Sequence, residues 1–177
     1  MLTTYLLWMT VPVIGLWLAA TVMHIGSVDT RRGGGTGVAW LDTRSTFDSA
    51  RWRHDLWSLR MSLIGRRQHL SLPVLRQPYG LRGMRPIGEQ SVALAEIVGS
   101  VDGRHHPFDR RFDPTSDAAW RRYSAVFAAR TGSAGVPPVT LYRAADGYYV
   151  LDGHHRVAVA RAFGDKTIRA DVTLVCD

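Results

Sequence analysis

The stretch Leu151-Asp152-Gly153-His154-His155-Arg156-Val157-Ala158-Val159-Ala160-Arg161-Ala162-Phe163-Gly164 decides how this chain folds. Its upstream neighbour, Tyr148 to Leu151, has strand composition and ends at Asp152. Gly153 permits a tight turn, and a run of Ala and Val then favours helix until Gly164 stops it. A strand that turns directly into a helix leaves the helix's first N–H groups without intrahelical acceptors and puts the positive end of its dipole at the turn. With Arg156 beside it, that end suits phosphate or sulfate. Plainer roles stand next to this one: Gly153 as a turn residue, Asp152 as a cap, Arg156 as a surface ion pair. His154 and His155 are consecutive, so on a helix they point apart. No third ligand follows at a usual spacing, and no metal is assigned.

Outward from this run, Asp146-Gly147 is the strongest hairpin signal, joining a strand over Val136 to Tyr142 with one over Tyr148 to Leu151. Ile168 to Leu174 alternates as a closing strand. On the N-terminal side, Val92 to Val98 reads as a strand closed by Gly99, Asp102 and Gly103. Asp113 to Thr131 reads as a helix with an apolar stripe of Trp120, Tyr123, Val126 and Phe127. The expected architecture over residues 87–177 is therefore α/β (α+β) with a small mixed sheet.

Asp152-Gly153-His154-His155-Arg156, followed by an alanine-rich helix and preceded by Pro137-Pro138-Val139 and a Tyr-Tyr-Val strand, resembles the signature of the ParB and sulfiredoxin-like superfamily. There a glycine, two variable residues and an arginine open a helix that holds phosphate. The resemblance covers roughly Val92 to Val175 and is strongest from Pro137 to Gly164. It implies a nucleoside triphosphate, CTP or ATP, bound with Mg. Gly153, His154, His155 and Arg156 would contact its phosphates, and Asp152 would orient the turn or the metal-bound nucleotide.

The superfamily includes chromosome-partition proteins that bind CTP and DNA, sulfiredoxins and small-molecule serine kinases. Sulfiredoxin chemistry needs a cysteine where this chain carries His154 and His155. A kinase needs a carboxylate base from the early part of the domain; Glu96 is the candidate, beside Asp102, Asp109 and Asp113, with Asp152 as the carboxylate in the motif itself. A partition protein needs a DNA-reading helix-turn-helix after this domain, and the chain ends at Asp177, soon after the closing strand. The expectation is a regulatory or nucleoid-associated nucleotide-binding protein; the alternatives are a small-molecule kinase and a non-catalytic scaffold. The segment Arg104 to Pro114 has two readings. It folds over the nucleotide, with Arg104 as the comparable loop arginine, or it is a surface loop whose Phe108 and Phe112 plug the core while its charges pair locally.

The chain has 177 residues, 46% of them hydrophobic, and a net charge of +7. This composition excludes a disordered polar chain, and the single Cys176 excludes a disulfide-stapled fold. Charge balances over residues 1–50 and again over 86–177. The whole excess of seven lies in residues 51–85, where eight arginines face only Asp55. The charge therefore describes a local partner surface.

Residues 47–86 form this basic helix and connector. From Phe47 to Arg67, Trp52, Leu56, Leu59 and Leu63 recur at helical spacing, widened by Trp57 and Ile64, with Arg51, Arg53, Arg60, Arg66 and Arg67 among the polar positions. Such a helix lies on anionic lipid, binds nucleic acid phosphate, or packs on its own domain. Residues 1–28 carry no charged side chain, and the apolar run from Tyr5 to Ile25 has the length of a transmembrane helix. The basic flank after it places the C-terminal domain in the cytoplasm. Without residues 1–40 in the native product, as a misassigned start codon would leave it, the protein is simply cytoplasmic. Residues 29–46, with Gly33, Gly34, Gly35 and Gly37, read as a flexible linker.

Overall fold

A computed structural model describes residues 39–67, 70–75, 83–101, 107–133 and 135–176. The apolar N-terminal run, the glycine cluster and Arg104 lie outside them. Residues Gly35–Asp177 make up one compact unit. In chain order its elements are helix α1 (Ala39–Leu63), strands β1 (Val74–Leu75), β2 (Gly83–Ala93) and β3 (Ile97–Val101), helix α2 (Trp120–Thr131), the hairpin β4 (Val139–Ala144) and β5 (Gly147–Asp152), helix α3 (His154–Ala162) and β6 (Thr167–Cys176).

The strands form one six-stranded sheet in the order β1-β3-β5-β4-β6-β2. The pairs β1–β3, β3–β5 and β4–β6 are parallel, whereas β4–β5 and β2–β6 are antiparallel. The fold is thus a mixed α/β arrangement. Alternation along the central strands explains its core: Val139, Leu141, Ala170 and Val172 are buried, while Thr140, Tyr142 and Asp171 are less so. Phe47 of α1, Tyr123 and Phe127 of α2 and Val157 to Ala160 of α3 join those residues in a single cluster.

Several boundaries differ from the sequence reading. The helix expected over Asp113 to Thr131 begins only at Trp120, after a left-handed Phe112 and a 3-10 turn at Asp117–Ala119. The expected strand over Val92 to Val98 is the junction of two strands, split by a 3-10 turn at Leu94–Glu96 that drives Leu94 into the core. Pro86, the end of the expected connector, sits in β2 two residues before Gly88. That strand lies at the sheet edge and has a register shift there, so a missing N–H and a positive φ are tolerated. The helix expected from Phe47 starts at Ala39, inside the stretch read as linker.

The hairpin closes at Gly147, and Tyr149 sends its hydroxyl 2.6 Å to Asp146 Oδ2. On the neighbouring strand, Gly99 leaves room for this tyrosine: a Cβ there would come within 2.8 Å of the ring and 2.3 Å of the Pro73 carbonyl oxygen. Burial first, then the hydrogen bond and charge of Asp146, push the Tyr149 phenol from 10.0 to about 12. A raised folded-state pKa contributes stability that is full below pH 10.0 and lost as pH rises through about 12. Spectrophotometric titration of Tyr149→Phe should therefore lack one late phenolate step, and the variant's stability should fall less steeply in that window. An unchanged late step would show that the phenol is not held by Asp146.

Candidate functional site

β5 carries the chain to Asp152, and Gly153 reverses it into α3 with φ 105° and ψ 23°, a left-handed conformation that suits glycine. A Cβ at this position would lie 2.7 Å from Val139 Cγ1. No side chain caps α3, and the helix ladder begins with Val157 N–H donating to Gly153 O at 3.0 Å. The positive end of the helix dipole thus opens into a cleft of about 1480 Å³, lined by Asp152 to Arg156, by Thr115 and Ser116, and by Arg121 and Arg122 of α2. Both arginines are exposed.

The residues assigned to phosphate by resemblance are brought together, but not all are turned to the cleft alike. Arg156 donates to the carbonyl oxygens of Pro137 and Pro138 and to the Asp152 carboxylate, so its guanidinium ties α3 to the start of β4. Asp152 itself remains open, its side chain 73% exposed. His154 is buried, with Nε2 2.7 Å from Ser100 Oγ and its ring stacked on Phe112. A serine hydroxyl at that distance from imidazole has nucleophile-and-base geometry, but Ser100 is fully buried and also donates to Val101 O at 3.0 Å. The pair orients the ring rather than presenting a nucleophile. His155 lines the cleft with Phe108 packed edge-on at 4.9 Å between centroids.

Glu96 is elsewhere. It is exposed and precedes β3, and its carbonyl lies against Gly147 at the start of β5, whereas the turn sits at that strand's far end. Five strand steps separate the two ends, about 17 Å. Glu96 therefore cannot act as base on a group held at Asp152 to Arg156. Arg104 lies outside the described residues.

The segment Arg104 to Pro114 resolves, from Pro107 onward, toward the core-plug reading. Phe108 and Phe112 are buried, and Phe112 takes a φ of 62°. Asp109, buried, accepts the N–H groups of Arg111 at 2.8 Å and Asp113 at 3.0 Å and stands 2.8 Å from His54 Nδ1. Asp113 takes a 2.7 Å hydrogen bond from Arg53; burial raises its pKa, and Arg53 opposes the shift. This turn is a structural peg for α1. Its neighbour Arg161, from α3, donates to the carbonyls of Leu94, Ile97 and Arg111 across the same seam. Sequence reasoning passed over Arg121 and Arg122, which follow Trp120 as a basic pair at the start of α2; only their placement across from Gly153 distinguishes them from solvated helix residues.

No family model, curated protein or solved structure matches the chain. Among the described residues no helix is long and apolar enough to cross a membrane, and no three His, Cys, Asp or Glu side chains cluster as metal ligands.

Proposed function

We propose that the protein binds a phosphorylated ligand, a nucleoside triphosphate of the CTP or ATP kind, in the cleft at the start of α3, in a regulatory or nucleoid-associated role as a ParB-like domain. The observation that carries this reading is the convergence on one cleft of an uncapped helix N-terminus, a glycine with no room for a side chain, and the basic pair Arg121 and Arg122. The donor set suits phosphate oxygens: backbone N–H groups, guanidinium forks and the hydroxyls of Thr115 and Ser116. It suits Mg poorly by itself. Asp152 is the one carboxylate at the turn and is shared with Arg156, so the metal would enter with most of its ligands supplied by the nucleotide and water. Binding energy would then go into a conformational or partner switch.

A second reading is favoured by one observation. Arg156 is spent on Pro137, Pro138 and Asp152, as in a scaffold where the motif serves only the fold. The kinase alternative has lost Glu96 and keeps Asp152, with Asp102 outside the described residues.

Titration calorimetry of the full chain with CTP, ATP and inorganic phosphate tests these readings. Binding by one nucleotide, weakened by about tenfold or more in Arg121→Ala/Arg122→Ala, is the expected result, since a hydrogen bond to a charged group contributes about 1.5–3 kcal/mol. Arg156→Ala with unchanged affinity would confine that residue to the fold. Heat from none of the three ligands leaves the scaffold, and turnover that requires an added hydroxyl compound leaves the kinase.

A further inference from the structure

Helix α1 turns the wrong face inward for a helix that only packs on its own domain. It buries Thr43, Phe47 and Ala50, with His54 and Trp57 partly covered behind them. The larger apolar row on the opposite side stays in solvent: Trp52 is 56% exposed, Leu59 60% and Leu63 79%. Leu56 and Ile64 are exposed as well. The buried face is already occupied by α2 and the core, so this row is not a loosely seated part of that contact.

The charges around the row differ along its length. Arg51 pairs with Asp117 at 2.9 Å and Arg53 with Asp113 at 2.7 Å, so the basic positions of the first half are used within the domain. From Leu56 to Arg67 there are three arginines and no carboxylate. Arg60 and Arg66 are exposed and make no ion pair among the described residues, and Arg67 is exposed with its guanidinium near Ser62. An exposed apolar row with Arg60 beside it, and Arg66 and Arg67 just past the helix end at Leu63, is the pattern that lies in the headgroup region of a bilayer.

We infer that the C-terminal half of α1 and the turn after it, through Trp52, Leu56, Leu59 and Leu63 with Arg60, Arg66 and Arg67, dock on an anionic lipid surface. Charge complementarity selects this occupant. A nucleic acid would use the arginines but leave the leucines in water, and a second copy of the same face would bring the arginines together. The inference is independent of any ligand in the cleft.

The test uses the full chain with Cys176→Ser and an environment-sensitive fluorophore on Leu59→Cys, beside a reference protein labelled on Ala145→Cys at the exposed hairpin turn. Vesicles of phosphatidylcholine mixed with phosphatidylglycerol should shift the emission of the label at position 59 to the blue; phosphatidylcholine alone should not, and the reference label should not move. Replacing Arg60, Arg66 and Arg67 with Gln should weaken the response by on the order of a hundredfold in lipid concentration, each arginine contributing about fivefold. Both labelled positions are exposed, so the circular dichroism spectrum should be unchanged. Four results would overturn the inference: no shift, an equal shift on neutral vesicles, a shift without vesicles that grows with protein concentration, or a shift produced by duplex DNA in place of lipid.

Discussion

Replacing Gly153 with alanine should destabilise the domain by about 3 kcal/mol, from a strained left-handed backbone and an overpacked contact together. The residue sits at φ 105°, where an L side chain is strained in any surroundings. The space is also taken. The new Cβ would stand 2.7 Å from Val139 Cγ1 and 3.0 Å from Val139 Cβ, and Val139 is fully buried at the start of β4. Neither partner can move cheaply, because Val139 is held between β5 and β6. The two causes separate in a double-mutant cycle. Val139→Ala removes the closer contact, to Cγ1, and leaves the Cβ contact and the backbone strain, so Gly153→Ala should cost less in that background, with a coupling of about 1 kcal/mol. Urea unfolding followed by circular dichroism reads both numbers. Additive losses would mean that the clash is relieved elsewhere and that strain alone is at work.

Asp109→Ala should be the most damaging single change in the turn that pegs α1, costing about 4 kcal/mol. The carboxylate is completely buried and accepts from the Arg111 and Asp113 N–H groups while facing His54. Truncation removes the acceptor of two backbone donors and the partner of a ring nitrogen at once. That is a large share of the whole stability of a domain this size, so the variant should populate unfolded chain at modest urea. Asp109→Asn provides the graded comparison. Its amide oxygen can keep both backbone bonds, so only the His54 contact is weakened, and a loss of about 1–2 kcal/mol is expected. If His54→Ala and Asp109→Ala are each severe but no worse together, the pair acts as a unit. An Asp109→Ala protein within about 1 kcal/mol of the parent would show that the turn does not hold the helix.

The legible part of the fold was the part written in neighbouring residues. Asp146-Gly147 placed the hairpin, Gly153 and Gly164 bracketed α3, and the Trp120 to Phe127 stripe located α2, because turn chemistry and helix period act over a few positions. The cleft was half legible. Its floor at Gly153 follows from the strand-turn-helix pattern, but Arg121 and Arg122 lie some thirty residues away and carry no signal of their own. The apolar stripe of the helix over residues 47 to 67 leaves three uses open, and packing on the domain is not what the fold does with it: the core accepts Phe47 and Ala50, a smaller surface, and leaves Trp52, Leu59 and Leu63 outside. Periodicity reports that a face is apolar, not what covers it.

By itself, then, the sequence determined a mixed α/β domain, the turn at Asp152 to Arg156 and the confinement of excess charge to residues 51–85. Only the tertiary structure decided how those charges and the motif are used. It spends Arg51 and Arg53 on Asp117 and Asp113, turns Arg156 onto Pro137 and Pro138, removes Glu96 to the far end of the sheet and leaves three arginines beside exposed leucines. The reason is one of range. Backbone conformation answers to adjacent residues, whereas the partner of a guanidinium is chosen by whichever oxygen the fold brings within about 3 Å of it, here as many as 80 residues along the chain.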